Sequence, residues 1–350
     1  MTMAQRVVAT AAALMLGLGA FAGSAKAQGT TITVVDFGGA WQESLKKAVW
    51  TPSFDKLGYT MKQDSLQTIA DVRLQVQSGK PAWDVVGLPY GECVAAEAEG
   101  LFEPIDYSLV PNAKDMEPGV NAKTFTGGTV WAAFVIAWSK KKYGDNGPKN
   151  WADFWDTKKF PGARAAYDAP RFMIEAAVMA DGVAKDKVYP IDLDRAYRKL
   201  KELRKDVAVW YKSFGQATDL IKTNEVDMIP LLDGRIIDVM KDGADWSFTF
   251  NQGIINGACL AIVKGSANKA ASHKVINEFL DPVIQANIPS YFSYGPMNSK
   301  AFATGKIAPD VAKRLNSNPE NLKLQLLLDS VWWGNNRQQA QLKWDEFSKN

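Results

Sequence analysis

Across 350 residues, 41 lysines and arginines nearly balance 38 acids, and the chain has two cysteines and one histidine. Charges so even, and spread rather than clustered, leave no basic face for nucleic-acid phosphates. The scarcity of His and Cys excludes a His-containing triad and HExxH or CxxC sites; no P-loop or EF-hand loop occurs either, so no cofactor or metal is implied.

The first 27 residues read as an export signal, with Arg6 ahead of an apolar run from Val7 to Ala22 and the small-residue pattern Ala25-Lys26-Ala27. That run is shorter than the ~20 residues a membrane-spanning helix needs, and no later stretch is apolar enough to span. Cleavage before Gln28 takes Arg6 and Lys26 away, so the formal charge falls from +3 to +1. The mature chain is expected in the periplasm as a soluble monomer. Its roughly 320 residues exceed one ordinary core, so two lobes are expected.

The mature part opens with the β-branched run "TTITVVDFGG", a strand ending in a Gly-Gly turn. "AWQESLKKAVWTPSFDKLG" carries apolar residues at Trp41, Leu45, Ala48 and Val49, a helical period expected to stop near Pro52. "YTMKQDS" then reads as a strand, "IADVRLQVQSG" as a helix, "WDVVGLP" as a strand and "YGECVAAEAEGLFEPID" as a helix leading to a loop. This alternation predicts an α/β lobe with a largely parallel sheet.

A longer strand-like run, "TVWAAFVIAWS" at 129–139, precedes the turn-rich "KKKYGDNGPK". A second α/β lobe follows: strands at "GARAAYD", "VAVWYKS" and "VDMIPLL", with helices at "RFMIEAAVMADG", "DLDRAYRKLKELRKDV" and "QATDLIKTN". "INGACLAIVKG" at 255–265 is again a strand, "KAASHKVINEFLDP" a helix, and the remainder mainly helical. The long strands near 130–138 and 255–263 are the candidates for crossings, placing 28–136 plus 255–296 in lobe 1 and 137–254 plus 297–350 in lobe 2. Export permits a Cys93–Cys259 disulfide, but a fold this large does not need one, so two buried free thiols are expected.

Several stretches in order resemble the periplasmic binding proteins of ABC importers that take up polyamines (spermidine, putrescine) and 4-aminobutyrate-type amines. They are "VVDFGGAWQESLKKAVWTPSFDKLG", "WDVVGLPYGECVAAEAEGLFEPID", "NWADFWDTKKFPG", "NEVDMIPLLDGRI" and "YGPMNSKA". The resemblance implies a two-lobed α/β fold (type II), mostly parallel sheets flanked by helices and joined by crossing strands, with a ligand cleft between. It implies delivery to an inner-membrane permease and its ATPase, without chemistry on the ligand.

In open α/β sheets ligands sit beyond the carboxyl ends of strands. Family aromatic positions are matched approximately by Phe37 and Trp41, with Tyr90 at the next strand end, Tyr294 before its proline turn and Trp333 in the late block. Trp50, Trp83, Trp151 and Trp155 read as core. Polyamine binders carry an acid at the helix start that here is Arg171 or Phe172, and another on the strand that here reads "INGACLAI"; neither place is acidic. Asp233 instead stands where the family often has Asn. The combination implies a guest with one ammonium and one carboxylate, such as 4-aminobutyrate. Arg171 and the free N–H groups of its helix start would take the carboxylate, Arg235 being a second possible ligand. Asp233 and the rings would take the ammonium. The competing readings are a surface pair between Arg171 and Asp168, Asp233 as a turn residue, putrescine or spermidine as guest, and an exported enzyme using carboxylates alone, for which no carboxylate pair stands out.

Overall fold

The computed structural model describes residues 29–349, so the export signal at 1–27 lies outside the described residues. The chain begins β1 (Thr31–Asp36), α1 (Gly39–Leu45), α2 (Thr51–Leu57), β2 (Thr60–Ser65), α3 (Ile69–Gln77), β3 (Val85–Pro89) and α4 (Tyr90–Ala98). β4 (Phe125–Ser139) leads to α5 (Lys140–Tyr143), α6 (Trp151–Trp155), β5 (Arg164–Tyr167), α7 (Pro170–Ala180), α8 (Leu193–Arg204), β6 (Val207–Tyr211), α9 (Phe214–Lys222), β7 (Met228–Leu232) and α10 (Asp233–Lys241). β8 (Trp246–Ile262) precedes α11 (Lys269–Phe279), α12 (Pro282–Gln285), β9 (Gly295–Pro296), α13 (Pro309–Ala312), α14 (Pro319–Leu322), β10 (Leu326–Leu327) and α15 (Ser330–Lys349).

One sheet runs in the order β2-β1-β3-β8-β4-β7-β5-β6, with β10 on β8 and β9 on β4. Its two ends are parallel: β2-β1-β3 at one, β7-β5-β6 at the other. The long strands β4 and β8 pair antiparallel in the middle and hold these ends apart. β8 meets β3 through Ala258–Ile262, and β4 meets β7 through Phe134–Trp138. Their mutual register shifts between Gly127 and Trp131 and again between Phe134 and Ile136, irregularities of the kind that bend a ribbon. Two parallel half-sheets on one crossing ribbon therefore put the carboxyl ends of β1, β3, β5 and β7 around a common space.

Three expectations need correction. The helix from Gly39 does not stop at Pro52: Lys46–Trp50 widens into a π-helical turn and Pro52 enters early in α2, where it has no interior helical bond to break. Gly58, with φ 65°, ends the helix instead. β8 starts at Trp246, nine residues before the expected strand, because the chain runs on as one strand through the irregularity at its polar "NQG" segment, where the pairing with β4 jumps from Ile254 to Thr249. There Gln252 takes φ 58° and its side-chain and main-chain oxygens accept the backbone and indole N–H of Trp151, at 3.0 and 2.9 Å.

Cys93 and Cys259 are joined in a disulfide rather than free. Pairing of β3 with β8 sets Cys259 opposite Leu88, and α4 turns back over that pair, bringing the two Cα atoms to 6.5 Å. The four tryptophans read as core are buried. His273 is a satisfied core residue: one ring nitrogen lies 2.7 Å from the Lys269 carbonyl and the other accepts the Asp106 N–H at 2.9 Å.

Candidate functional site

At the end of β1, Asp36 is buried, and its Oδ1 accepts the Phe37 N–H (2.8 Å) and the Trp41 indole N–H (2.9 Å). Burial pushes this carboxyl up to about 7, against the pull of those two hydrogen bonds. Anchored in this way, Trp41 meets Phe292 edge-on at 4.8 Å and Tyr294 at 6.3 Å. Trp41, Tyr294, Arg235, Asp238 and Lys241 line a cavity of about 620 Å³. Arg235 is exposed, with its guanidinium 5.9 Å over the Phe214 ring. Gly234 leaves room for the Tyr294 ring, which a Cβ at this position would push aside.

Asp233 is fully buried, and its Oδ1 accepts the Ala133 N–H at 2.9 Å. It ties the first turn of α10 to β4, and its carboxylate reaches no cavity surface. Burial raises it to about 7 despite the N–H groups of Ala133 and Gly234 and the nearby Asn316 amide.

β3 delivers Tyr90, whose hydroxyl donates to the Gly119 carbonyl (2.7 Å) and whose ring stands edge-on to Phe125 at 5.2 Å. Burial, with the charges of Glu97 and Asp329, pushes the phenol up to about 12. A second cavity, of about 340 Å³, lies among Tyr90, Trp131, Tyr189 and Asp329. Phe37 is half-buried beside the core that packs against α4.

The end of β5 carries the most unusual geometry. Arg171 has ψ 133°, and Phe172 has φ 72°. Positive φ in a bulky residue stores ~1–3 kcal/mol of strain and persists only where the surroundings hold it. Here the Phe172 ring is stacked on Phe134 at 4.7 Å. The Arg171 Nε is buried and makes no hydrogen bond. Asp168 is not its partner, because Asp168 accepts the Trp344 indole N–H at 3.1 Å. Burial lowers the guanidinium's proton affinity, and Arg337 adds to this, while Glu175, Tyr167 and Tyr189 oppose it.

One turn along α7, fully buried Glu175 accepts from the Tyr189 hydroxyl (2.8 Å) and the Trp333 indole (2.6 Å). Burial raises its carboxyl above the usual range. Trp333, read from the late block as cleft-lining, is thus buried and holds Glu175.

The structure therefore gathers Trp41, Tyr294 and Arg235 in one place, sets Tyr90 at the second cavity and Arg171 beyond the end of β5, and leaves Asp233 in the interior between strand and helix. Asp36, Glu92, Glu175, Tyr189 and Arg337 escaped the sequence reading. Asp36 stood next to Phe37, and Glu92 two places after Tyr90, so the strand-end rule could have included both. Tyr189 and Arg337 carry no local signal. Among the described residues no cluster of three or more His, Cys, Asp or Glu could hold a metal, and no helix is long and apolar enough to cross a membrane.

Residues 57–314 match the bacterial extracellular solute-binding protein family. The chain is 29% identical over 321 residues to a gamma-aminobutyric acid-binding protein of Pseudomonas aeruginosa, covering 90% of each. An ABC transporter substrate-binding protein from Bradyrhizobium japonicum superposes with a TM-score of 0.85 at 42% identity, over 91% of this chain and 99% of that one. MotA of A. tumefaciens B6, solved with glucopine, gives 0.76 at 37% identity over the same shares. The architecture is the two-lobed α/β fold of type II periplasmic binding proteins. The chain belongs to the bacterial extracellular solute-binding proteins and serves as the substrate-binding subunit of an ABC importer.

Proposed function

We propose that this subunit captures a small zwitterionic amine, an ω-amino acid such as 4-aminobutyrate, in the periplasm and presents it to the permease and its ATPase. The observation that carries the proposal is Arg171: a guanidinium beyond the end of β5, with a buried Nε that makes no hydrogen bond, beside a strained Phe172. A guanidinium whose Nε lacks an acceptor suits a carboxylate, which it can meet in bidentate geometry. Phe37, Trp41, Tyr90 and Tyr294 supply ring faces for the ammonium, with Arg235 at the rim of the larger cavity. Closure would bring lobe 1 (28–136 and 255–296) onto lobe 2 (137–254 and 297–350), favoured by ligand contacts made to both. Similarity to the gamma-aminobutyric acid-binding protein supports this choice of guest.

Putrescine or spermidine is the second reading, favoured by the family resemblance and opposed by the cation at position 171. A thermal-shift panel of 4-aminobutyrate, glucopine and putrescine separates them. The true guest should stabilise by ~2.7 kcal/mol at a hundredfold excess over its dissociation constant. Stabilisation by putrescine with no response to 4-aminobutyrate would sink the zwitterion. Turnover of a recovered ligand would return the chain to the enzyme reading.

A further inference from the structure

A zwitterion held by Arg171 still needs a counter-charge for its ammonium, and most nearby acids are already engaged. Asp233 is sealed in the interior. Asp36 holds Trp41, Asp168 holds Trp344, Asp238 accepts from Ser293 and Asp329 accepts the Trp332 N–H. Glu175 is fully buried and, like Asp233, leaves one oxygen unpartnered while the other accepts hydrogen bonds, from Tyr189 and Trp333. Glu92 differs in being only half-buried: it lies in the first turn of α4, directly beyond β3, and its Oε2 has no hydrogen-bond partner.

Its surroundings are cationic. Arg337 and Arg171 both act on the Glu92 carboxylate, and the Ile69 N–H at the start of α3 faces it. Arg337 lies in α15, which packs against α4, α7 and α8. The two guanidinium groups also repel each other. Among the described residues, neither is within ion-pair distance of a carboxylate. Glu175 also acts on Arg171, but it is fully buried and hydrogen-bonded to Tyr189 and Trp333, so the two guanidinium groups have no ion-pair partner of their own and would gain from a further anion.

We propose that Glu92 is the specificity-determining acid of the cleft, receiving the ammonium of a zwitterion whose carboxylate lies on Arg171 with Arg337 closing over it. The inference rests on the zwitterion reading above. Glu92 stands on the β1–β3 half of the sheet and Arg171 on the β5–β7 half. A zwitterion spanning them touches both halves at once, whereas a diamine would set one ammonium against Arg171. The acid chooses the amine, and the arginines choose the acid end.

The test uses the mature protein with Glu92→Gln and Glu92→Asp, each checked for folding by circular dichroism. Calorimetry with 4-aminobutyrate should show a loss of about 10- to 100-fold for E92Q, the range of a charge-assisted hydrogen bond, with partial recovery in E92D. Sulfate is the second probe. With Glu92 neutralised, Glu175 is the carboxylate left acting on Arg171, so the two guanidinium groups carry less compensation and sulfate should raise the Tm of E92Q more than that of the wild type. Unchanged 4-aminobutyrate affinity in E92Q, or an equal sulfate response in both proteins, overturns the assignment. Wild-type protein that ignores 4-aminobutyrate while E92Q gains sulfate overturns the zwitterion reading and keeps Glu92 as the counter-charge of the two arginines.

Discussion

Arg171 and Asp233 occupy matching places in one half-sheet. Each stands where a parallel strand gives way to a helix, β5 to α7 and β7 to α10, and each is a charge on a largely buried turn. Asp233 is closed in completely and accepts the Ala133 N–H across the gap to β4. Arg171 keeps some exposure, has a buried Nε without a partner and neighbours a residue in a costly backbone conformation. A charge whose partner lies inside the protein joins two elements together. Both leave one buried polar atom unpartnered, Asp233 its Oδ2 and Arg171 its Nε, but only Arg171 keeps an exposure through which a partner could come.

The largest effect expected from this contrast is on stability and belongs to Asp233. Burial lifts its carboxyl from 3.8 to about 7, so the folded chain binds that proton more tightly than the unfolded chain does. Its favourable contribution is complete below pH ~4 and is lost as pH rises through about 7, with a ceiling of ~4 kcal/mol. Asp36, also raised to about 7, acts in the same direction. Denaturant melts at pH 4, 5.5 and 8 should show the stability of the wild type relative to Asp233→Asn falling as pH rises. An identical slope in the variant would mean that the Asp233 carboxyl is solvated after all, and the contrast would dissolve.

Next comes Arg171→Ala. Affinity for 4-aminobutyrate should drop at least ~100-fold, or ~2.7 kcal/mol. Stability should hold or rise slightly, because a desolvated cation without hydrogen bonds is being removed. Arg171→Lys should recover only part of the affinity, since an ammonium lacks the planar fork. If Arg171→Ala instead unfolds the protein and leaves affinity intact at low temperature, then Arg171 is the structural member of the pair.

How far this was legible beforehand follows from the range of the interactions. The alternation of strands and helices on both sides of the crossing ribbon is written in local apolar period, as "TITVVD" and "LDRAYRKLKELR" show. Arg171 was visible as a cation at a helix start, where the macrodipole disfavours it. The burial of Asp233 was not visible, because Asp-Gly reads as a turn until β4 is laid across it. The π-turn that carries the chain past Pro52 depends on packing and leaves no pattern of its own. Glu92 and Arg337 are far apart in sequence and meet only because α15 returns over α4. The Cys93–Cys259 bridge likewise needed the β3–β8 pairing to become visible.

The smallest effect tests whether the larger cavity takes part in binding. Gly234 follows Asp233, and its missing side chain is what allows the Tyr294 ring to lie over the first turn of α10. Tyr294 is edge-on to Trp41, so the two rings form one wall of the cavity and Gly234 sets its depth. In Gly234→Ala the helix itself is not strained, because this position lies inside α10 and alanine favours helix. The ring must move, and with it the face offered to a cation. If the ammonium or the chain of the guest rests against this wall, affinity should fall about tenfold, ~1.4 kcal/mol, with little change in melting temperature. If affinity holds, the guest stays clear of this wall, and the Trp41–Tyr294 pair serves the packing of α1 and the Tyr294 segment against α10. In that case the contrast between Arg171 and Asp233 extends to their surroundings, one set serving the ligand and the other the fold.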